Sequence, residues 1–217
     1  MTALRLRYQT IEFDEVDIHI RTLRDKQQYS DPLGEAESMG ISSAQWSFFG
    51  VVWEASKVLA REMADYEIGS KRILEIGCGM ALSSLLLNSR HADISATDHH
   101  PQAGQFLEEN VRLNGGQAIP FLRTDWKTEH DGLGKFDLII GADLLYERDH
   151  VEDVSAFINR HAQQSNEVIM VDPGRGNRSS FSKKMTSLGY SQKHSSVEYM
   201  DEANKLFTAK ILRYYRD

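Results

Sequence analysis

The chain has 217 residues, 41% hydrophobic and 26% charged, and its 25 lysines and arginines against 32 aspartates and glutamates leave a net charge of −7. These values describe an ordinary globular chain, long enough for one sizeable core and short for two. An acidic surface repels phosphate backbones, so bulk nucleic-acid binding is not expected.

Ile11 and Phe13, then Val16, Ile18 and Ile20, alternate with polar residues on either side of Asp14-Glu15. That is the pattern of a small hairpin or two short strands. Residues 25–45 are polar and hold Pro32, Gly34 and Gly40, which predicts a loop. Val51, Ala55, Val58, Leu59 and Met63 recur at helical spacing and predict an amphipathic helix over 48–64. From Lys71 onward strands and helices alternate. Strands are expected over 72–76, 93–97, 118–122, 136–141 and 167–171. Helices are expected from Ala81, over 101–113, along Val151, Val154, Phe157 and Ile158, and over 180–188. Residues 196–200 and 206–214 read as an antiparallel hairpin joined by the polar turn Asp201-Glu-Ala-Asn204. Such alternation builds a mostly parallel sheet with helices on both faces.

Single features bound the chemistry. The only cysteine, Cys78, leaves no internal disulfide and fits a reducing cytoplasm. No apolar run approaches the roughly 18 residues of a membrane span. Residues 1–10 carry Arg5 and Arg7 with no apolar core behind them, unlike a secretory signal. The eight histidines include the adjacent pair His99-His100 but no H-E-x-x-H, and there is no C-x-x-C, so no metal site is expected.

The most informative stretch is Arg72-Ile-Leu-Glu-Ile-Gly-Cys-Gly79. An apolar strand runs into two glycines, and nineteen residues after Gly79 the next strand ends in Asp98. Glycines let the backbone approach a ligand closely, and an acidic side chain at the next strand end can accept both hydrogen bonds of a ribose diol. An adenosine-containing cofactor is the expectation. A nicotinamide fingerprint would need a third glycine at Leu82, and no phosphate-binding G-x-x-x-x-G-K-[ST] is present. Asp98 before His99-His100-Pro101 also suits a helix N-cap, which is compatible with the ribose role.

Glu75-x-Gly77-x-Gly79 with Asp98 resembles the first motifs of the class I, seven-strand S-adenosylmethionine-dependent methyltransferases. The resemblance covers roughly residues 66–217. It implies a Rossmann-like α/β sheet, mostly parallel with an antiparallel C-terminal hairpin strand, with S-adenosylmethionine as cofactor and no metal. Residues 1–65 would form a leader of short strands, polar loop and amphipathic helix, packed on the core as one structural domain. Asp143-Leu-Leu-Tyr146, following strand 136–141, is similar to the D-x-x-Y of the small lysine-directed protein methyltransferases of family 16. Trp53 matches that subgroup's leader tryptophan, and Trp46 lies nearby. Val171-Asp-Pro-Gly-Arg175 resembles the corresponding turn of one of its members.

By this resemblance the cofactor site holds Trp53, Glu75, Gly77, Cys78, Gly79, Asp98, Asp125, Trp126 and Ala142. Catalysis falls to Asp143 and Tyr146, and substrate contacts fall to Asp172 and Arg175. Glu75 would orient the loop or a methionine amino group. Trp126 would stack on adenine or pack in the core, and Arg175 would pair with an acidic substrate residue or stand solvated in its turn. A protein substrate is implied, and the same cofactor half would serve an enzyme acting on a small molecule or RNA. A binding module without chemistry and a nicotinamide-dependent oxidoreductase are the remaining readings.

Overall fold

The computed structural model describes residues 4–129, 132–201 and 204–217. Its centre is a seven-stranded sheet of β3 (Arg72–Ile76), β4 (Asp93–Asp98), β5 (Phe121–Arg123), β6 (Phe136–Ala142), β7 (Ala162–Asp172), β8 (Ser191–Met200) and β9 (Leu206–Arg216). The order is β5-β4-β3-β6-β7-β9-β8. β3 pairs in parallel with both β4 and β6, and β9 lies antiparallel between β7 and β8. Strand order therefore reverses between β3 and β6, and the crevice beyond their carboxyl ends is where open sheets bind ligands.

The central strands are buried on both faces, as their apolar runs require. Along β7, Ile169 and Val171 point into one core and Val168 and Met170 into the other. The first core lies under α2 (Glu54–Ala64), α3 (Leu82–Ser89) and α4 (Ala103–Leu113), the second under α5 (His150–His161) and α6 (Arg178–Ser187). Each fully buried Val, Leu or Ile contributes about 1.5–3 kcal/mol.

The N-terminal strands β1 (Leu6–Glu12) and β2 (Asp17–Leu23) form an antiparallel hairpin whose second strand docks on α4. Asn110 and Asn114, one helical turn apart, satisfy its free edge. Their side-chain carbonyls accept the Arg21 and His19 N–H groups at 2.8 Å, and their amides donate back to the Arg21 and His19 carbonyls. An edge strand left bare would expose unpaired backbone groups.

The expected loop over 25–45 holds one short helix, α1 (Glu35–Ser38). The expected helix over 48–64 is two elements. Trp46–Gly50 is a 3-10 turn, and α2 begins only at Glu54, with Trp53 extended at its N-cap. The break has a tertiary cause: Gly50 packs so closely on Leu23 that a Cβ there would overlap its side chain. The third strand of the core lies at Phe121–Arg123, later than 118–122, and β7 and β8 begin earlier than expected. Part of the expected turn 201–204 lies outside the described residues.

Candidate functional site

The loop after β3 is built from three left-handed residues: Gly77 (φ 58°), Gly79 (φ 52°) and Ala81 (φ 57°). Two reasons for glycine differ. At Gly77 a Cβ would stand 2.5 Å from Leu144 Cδ2, and at Gly79 it would press within 3.2 Å of the Phe49 carbonyl. Ala81 accepts the left-handed strain, closing the turn through its N–H to the Cys78 carbonyl at 2.7 Å, and α3 starts at the next residue.

The loop N–H groups expected to approach a ligand are partly spent inside the protein. Cys78 N–H bonds the Thr97 carbonyl at 2.9 Å, and Gly79 N–H bonds Asp98 Oδ2 at 2.8 Å. A ligand without phosphates has no need of them. Asp98 Oδ1 accepts the His100 N–H at 2.8 Å, so the loop, the strand end and the following turn are locked by one carboxylate. Burial pushes the Asp98 carboxyl upward against these hydrogen bonds. Oδ1 and Oδ2 each accept one of these two bonds, and a carboxylate oxygen has more than one acceptor site.

Glu75 is buried and turns into the fold. It accepts the N–H of Ser84 at 2.9 Å and its hydroxyl as well, tying β3 to the first turn of α3. Of the two roles expected for it, the geometry is that of loop orientation. Burial pushes its carboxyl up to about 7. Cys78 is buried in the loop, and burial pushes its thiol up as well.

Asp125 Oδ1 accepts the N–H of Lys127 and both the N–H and hydroxyl of Thr128, stabilising the turn after β5. Partial burial raises its carboxyl, but the hydrogen bonds from Thr128 outweigh this and hold it low. Trp126 packs edge-on against His150, with ring centroids 4.9 Å apart, and its ring edge reaches toward Gly77. Tyr146 also meets His150 edge-on, with ring centroids 4.4 Å apart, and is nearly half exposed.

Asp143 follows Ala142 at the end of β6, in a left-handed conformation (φ 57°) with its N–H on the Val171 carbonyl. Its carboxylate is held by both arms of Arg175, Nε at 2.7 Å and Nη2 at 2.6 Å. Arg175 thus has an acidic partner within the chain and is not a lone turn residue. The other residue expected to touch substrate, Asp172, is buried. It accepts the Arg175 N–H and shapes the Pro-Gly turn from below, as a short acidic side chain does in such turns.

Trp53 stands beside this pair. Its indole N–H donates to the Phe48 carbonyl at 2.9 Å, and Lys26 Nζ lies 4.0 Å over its ring. Trp53, Asp143, Arg175 and Lys26 line one cavity of about 260 Å³, together with Glu54 and Phe207. The other leader tryptophan, Trp46, is wholly buried between Tyr29, Phe49 and His100, where it serves the core. Sequence reasoning missed three participants: Lys26, Phe49 and Ser84. Only Ser84 carried a local signal, a hydroxyl in the first turn of the helix after the glycine loop. Among the described residues no His, Cys, Asp and Glu cluster could hold a metal, and no helix is long and apolar enough to cross a membrane.

A family model described as lysine methyltransferase matches residues 37–188, well over half of the chain. The chain belongs to the lysine methyltransferase family. Protein N-lysine methyltransferase METTL21A of Danio rerio is 34% identical over 115 residues, 48% of this chain and 52% of that one. Electron transfer flavoprotein beta subunit lysine methyltransferase of Rattus norvegicus is 27% identical over 132 residues, 59% of this chain and 51% of that one. This family member thus spans about half the length of these curated relatives. Among solved structures, magnesium protoporphyrin IX methyltransferase from Synechocystis PCC 6803, crystallised with S-adenosylmethionine, aligns with a TM-score of 0.56 at 20% identity. That alignment covers 75% of this chain and 78% of that one, and the likeness is one of fold.

Proposed function

We propose that this protein transfers a methyl group from S-adenosylmethionine to a lysine side chain of a protein substrate. The observation that carries the reading is the juxtaposition at the switch point: Asp98 locked to Gly79 at the ends of β4 and β3, and Asp143 at the end of the adjacent β6. Membership of the family supports it.

The residues fit the cofactor. Asp98 would take the ribose hydroxyls, Asp125 and Trp126 the adenine, and Gly77–Gly79 with Ala142 would lie against the rest of the ligand. When bound, S-adenosylmethionine supplies an electrophilic methyl on a sulfonium, so the protein's task is alignment and exclusion of water. A substrate lysine, with an ordinary pKa of about 10.4, must arrive neutral. A narrow channel shaped by Tyr146 and lined near Asp143 by apolar groups would favour the neutral amine by removing water from it. Asp143 accepts a hydrogen bond from the incoming nitrogen and aims its lone pair, and Arg175 fixes the orientation of that carboxylate. The proton leaves to solvent. Residues 1–65 belong to the same structural domain as the core and supply the substrate edge, in a protein of the cytoplasm.

The test is methyl-labelled cofactor with cell extract, fractionated into protein, RNA and small molecules. Label should enter protein lysines and be lost in Asp143→Ala, with cofactor affinity nearly unchanged. Label confined to RNA or small molecules would replace the substrate class and leave the cofactor half standing.

A further inference from the structure

We infer that Lys26 is itself a methyl acceptor, modified in cis by the site it lines. The inference rests on the function proposed above. Lys26 comes from the loop after β2, more than a hundred residues from Asp143 in sequence, yet both border the same cavity. Its ammonium sits 4.0 Å from the centroid of the Trp53 ring, the kind of face that receives an alkylated ammonium in aromatic recognition sites.

The seating is built. The Lys26 carbonyl accepts the hydroxyl of Ser47, which is buried in the 3-10 turn next to Trp46. On one side Asp25 Oδ1 receives the Gln27 N–H at 3.0 Å and Asp25 Oδ2 receives Arg5 Nη2 at 2.8 Å. On the other, Gln28 bridges the Arg5 backbone through both ends of its amide. The backbone is thus clamped before and after Lys26, and the side chain is directed over Trp53. Among the described residues no carboxylate lies within ion-pair distance of its Nζ. A lysine placed only for surface charge would need neither the clamp nor the ring.

In the transfer, the neutral Lys26 Nζ forms a bond to the methyl carbon as the sulfonium C–S bond breaks. The pair of that bond stays on sulfur, S-adenosylhomocysteine leaves, and the methylated nitrogen carries the positive charge, the original ammonium proton having gone to water before the attack. Methylation keeps the positive charge and enlarges its apolar surface, so the product packs on Trp53 more firmly than the unmodified lysine.

The experiment has two readouts. First, the purified full chain is acylated with a small amine reagent and mapped by peptide mass. Lys26 should react more slowly in the wild type than in Trp53→Leu, with equal rates overturning the seating. Second, the chain is incubated with S-adenosylmethionine, and peptides are mapped for added methyl groups. The peptide holding Lys26 should gain them at a rate unchanged on dilution, and Lys26→Arg should abolish the gain. A tagged chain disabled by Asp98→Ala, mixed with untagged wild type, should stay unmodified at Lys26. Cofactor binding and labelling of extract proteins with Lys26 unmodified would sink this inference alone. Absence of cofactor binding would remove the proposed function as well.

Discussion

Glu75→Gln should change how stability depends on pH. The wild-type carboxyl is buried at the root of the glycine loop, and burial raises it from 4.5 to about 7. A raised acid favours folding while protonated. Its contribution is therefore full below about pH 4.5 and is lost as pH rises through about 7. At about 1.4 kcal/mol per pH unit, that span corresponds to about 3 kcal/mol. Glutamine keeps an acceptor for the Ser84 N–H and has no proton to lose. Urea unfolding of both proteins from pH 5 to pH 8.5 cancels the titration of every other group. The stability gap should grow in favour of glutamine by about 3 kcal/mol over that range. Parallel curves would show that Glu75 titrates as a normal carboxyl and that its isolation in the fold has been misjudged. Cofactor affinity should survive the substitution within a few-fold, since Glu75 acts on the loop through Ser84. A large loss would place its charge against the ligand.

Gly77→Ala should destabilise the fold by about 1–2 kcal/mol from the left-handed backbone alone, and further through overlap with Leu144. Adding Leu144→Ala should cost less than the sum of the two single changes in a thermal-unfolding cycle, and strict additivity would refute the contact. Asn110→Ala should cost about 1–3 kcal/mol by leaving backbone groups of β2 unpaired, seen as faster hydrogen exchange over residues 17–23. Unchanged exchange there would mean that the leader does not depend on α4. Arg175→Ala should cost under about 1 kcal/mol, because the pair with Asp143 is partly exposed. Turnover should nonetheless fall with cofactor affinity kept, and unchanged turnover would remove Arg175 from the positioning of Asp143.

What the sequence made legible was what is local. Gly77, Gly79 and Asp98 lie within one βαβ unit, so strand pattern and spacing place them together before any tertiary contact is known. Asp143 was readable because it ends the most apolar strand. The misplaced helix start shows the limit of periodicity. Val51 continues the helical spacing of Ala55 and Val58, and only the approach of Gly50 to Leu23 breaks it. The Asp143–Arg175 pair crosses from β6 to β7, and the Lys26–Trp53 contact joins a loop to a helix cap. Neither has a pattern in the chain, because both are set by where the strands and the leader come to rest. Trp46 and Trp53, seven residues apart, look equivalent in sequence, and only the 3-10 turn between them sends one into the core and the other to the cavity.

The most direct measurement is a calorimetric titration of S-adenosylmethionine and S-adenosylhomocysteine into the wild type and Asp98→Ala. The account predicts saturable binding of both ligands to the wild type. It predicts roughly a hundredfold loss in the variant, the scale of two hydrogen bonds to a charged carboxylate. A folded wild-type protein that binds neither ligand would contradict it.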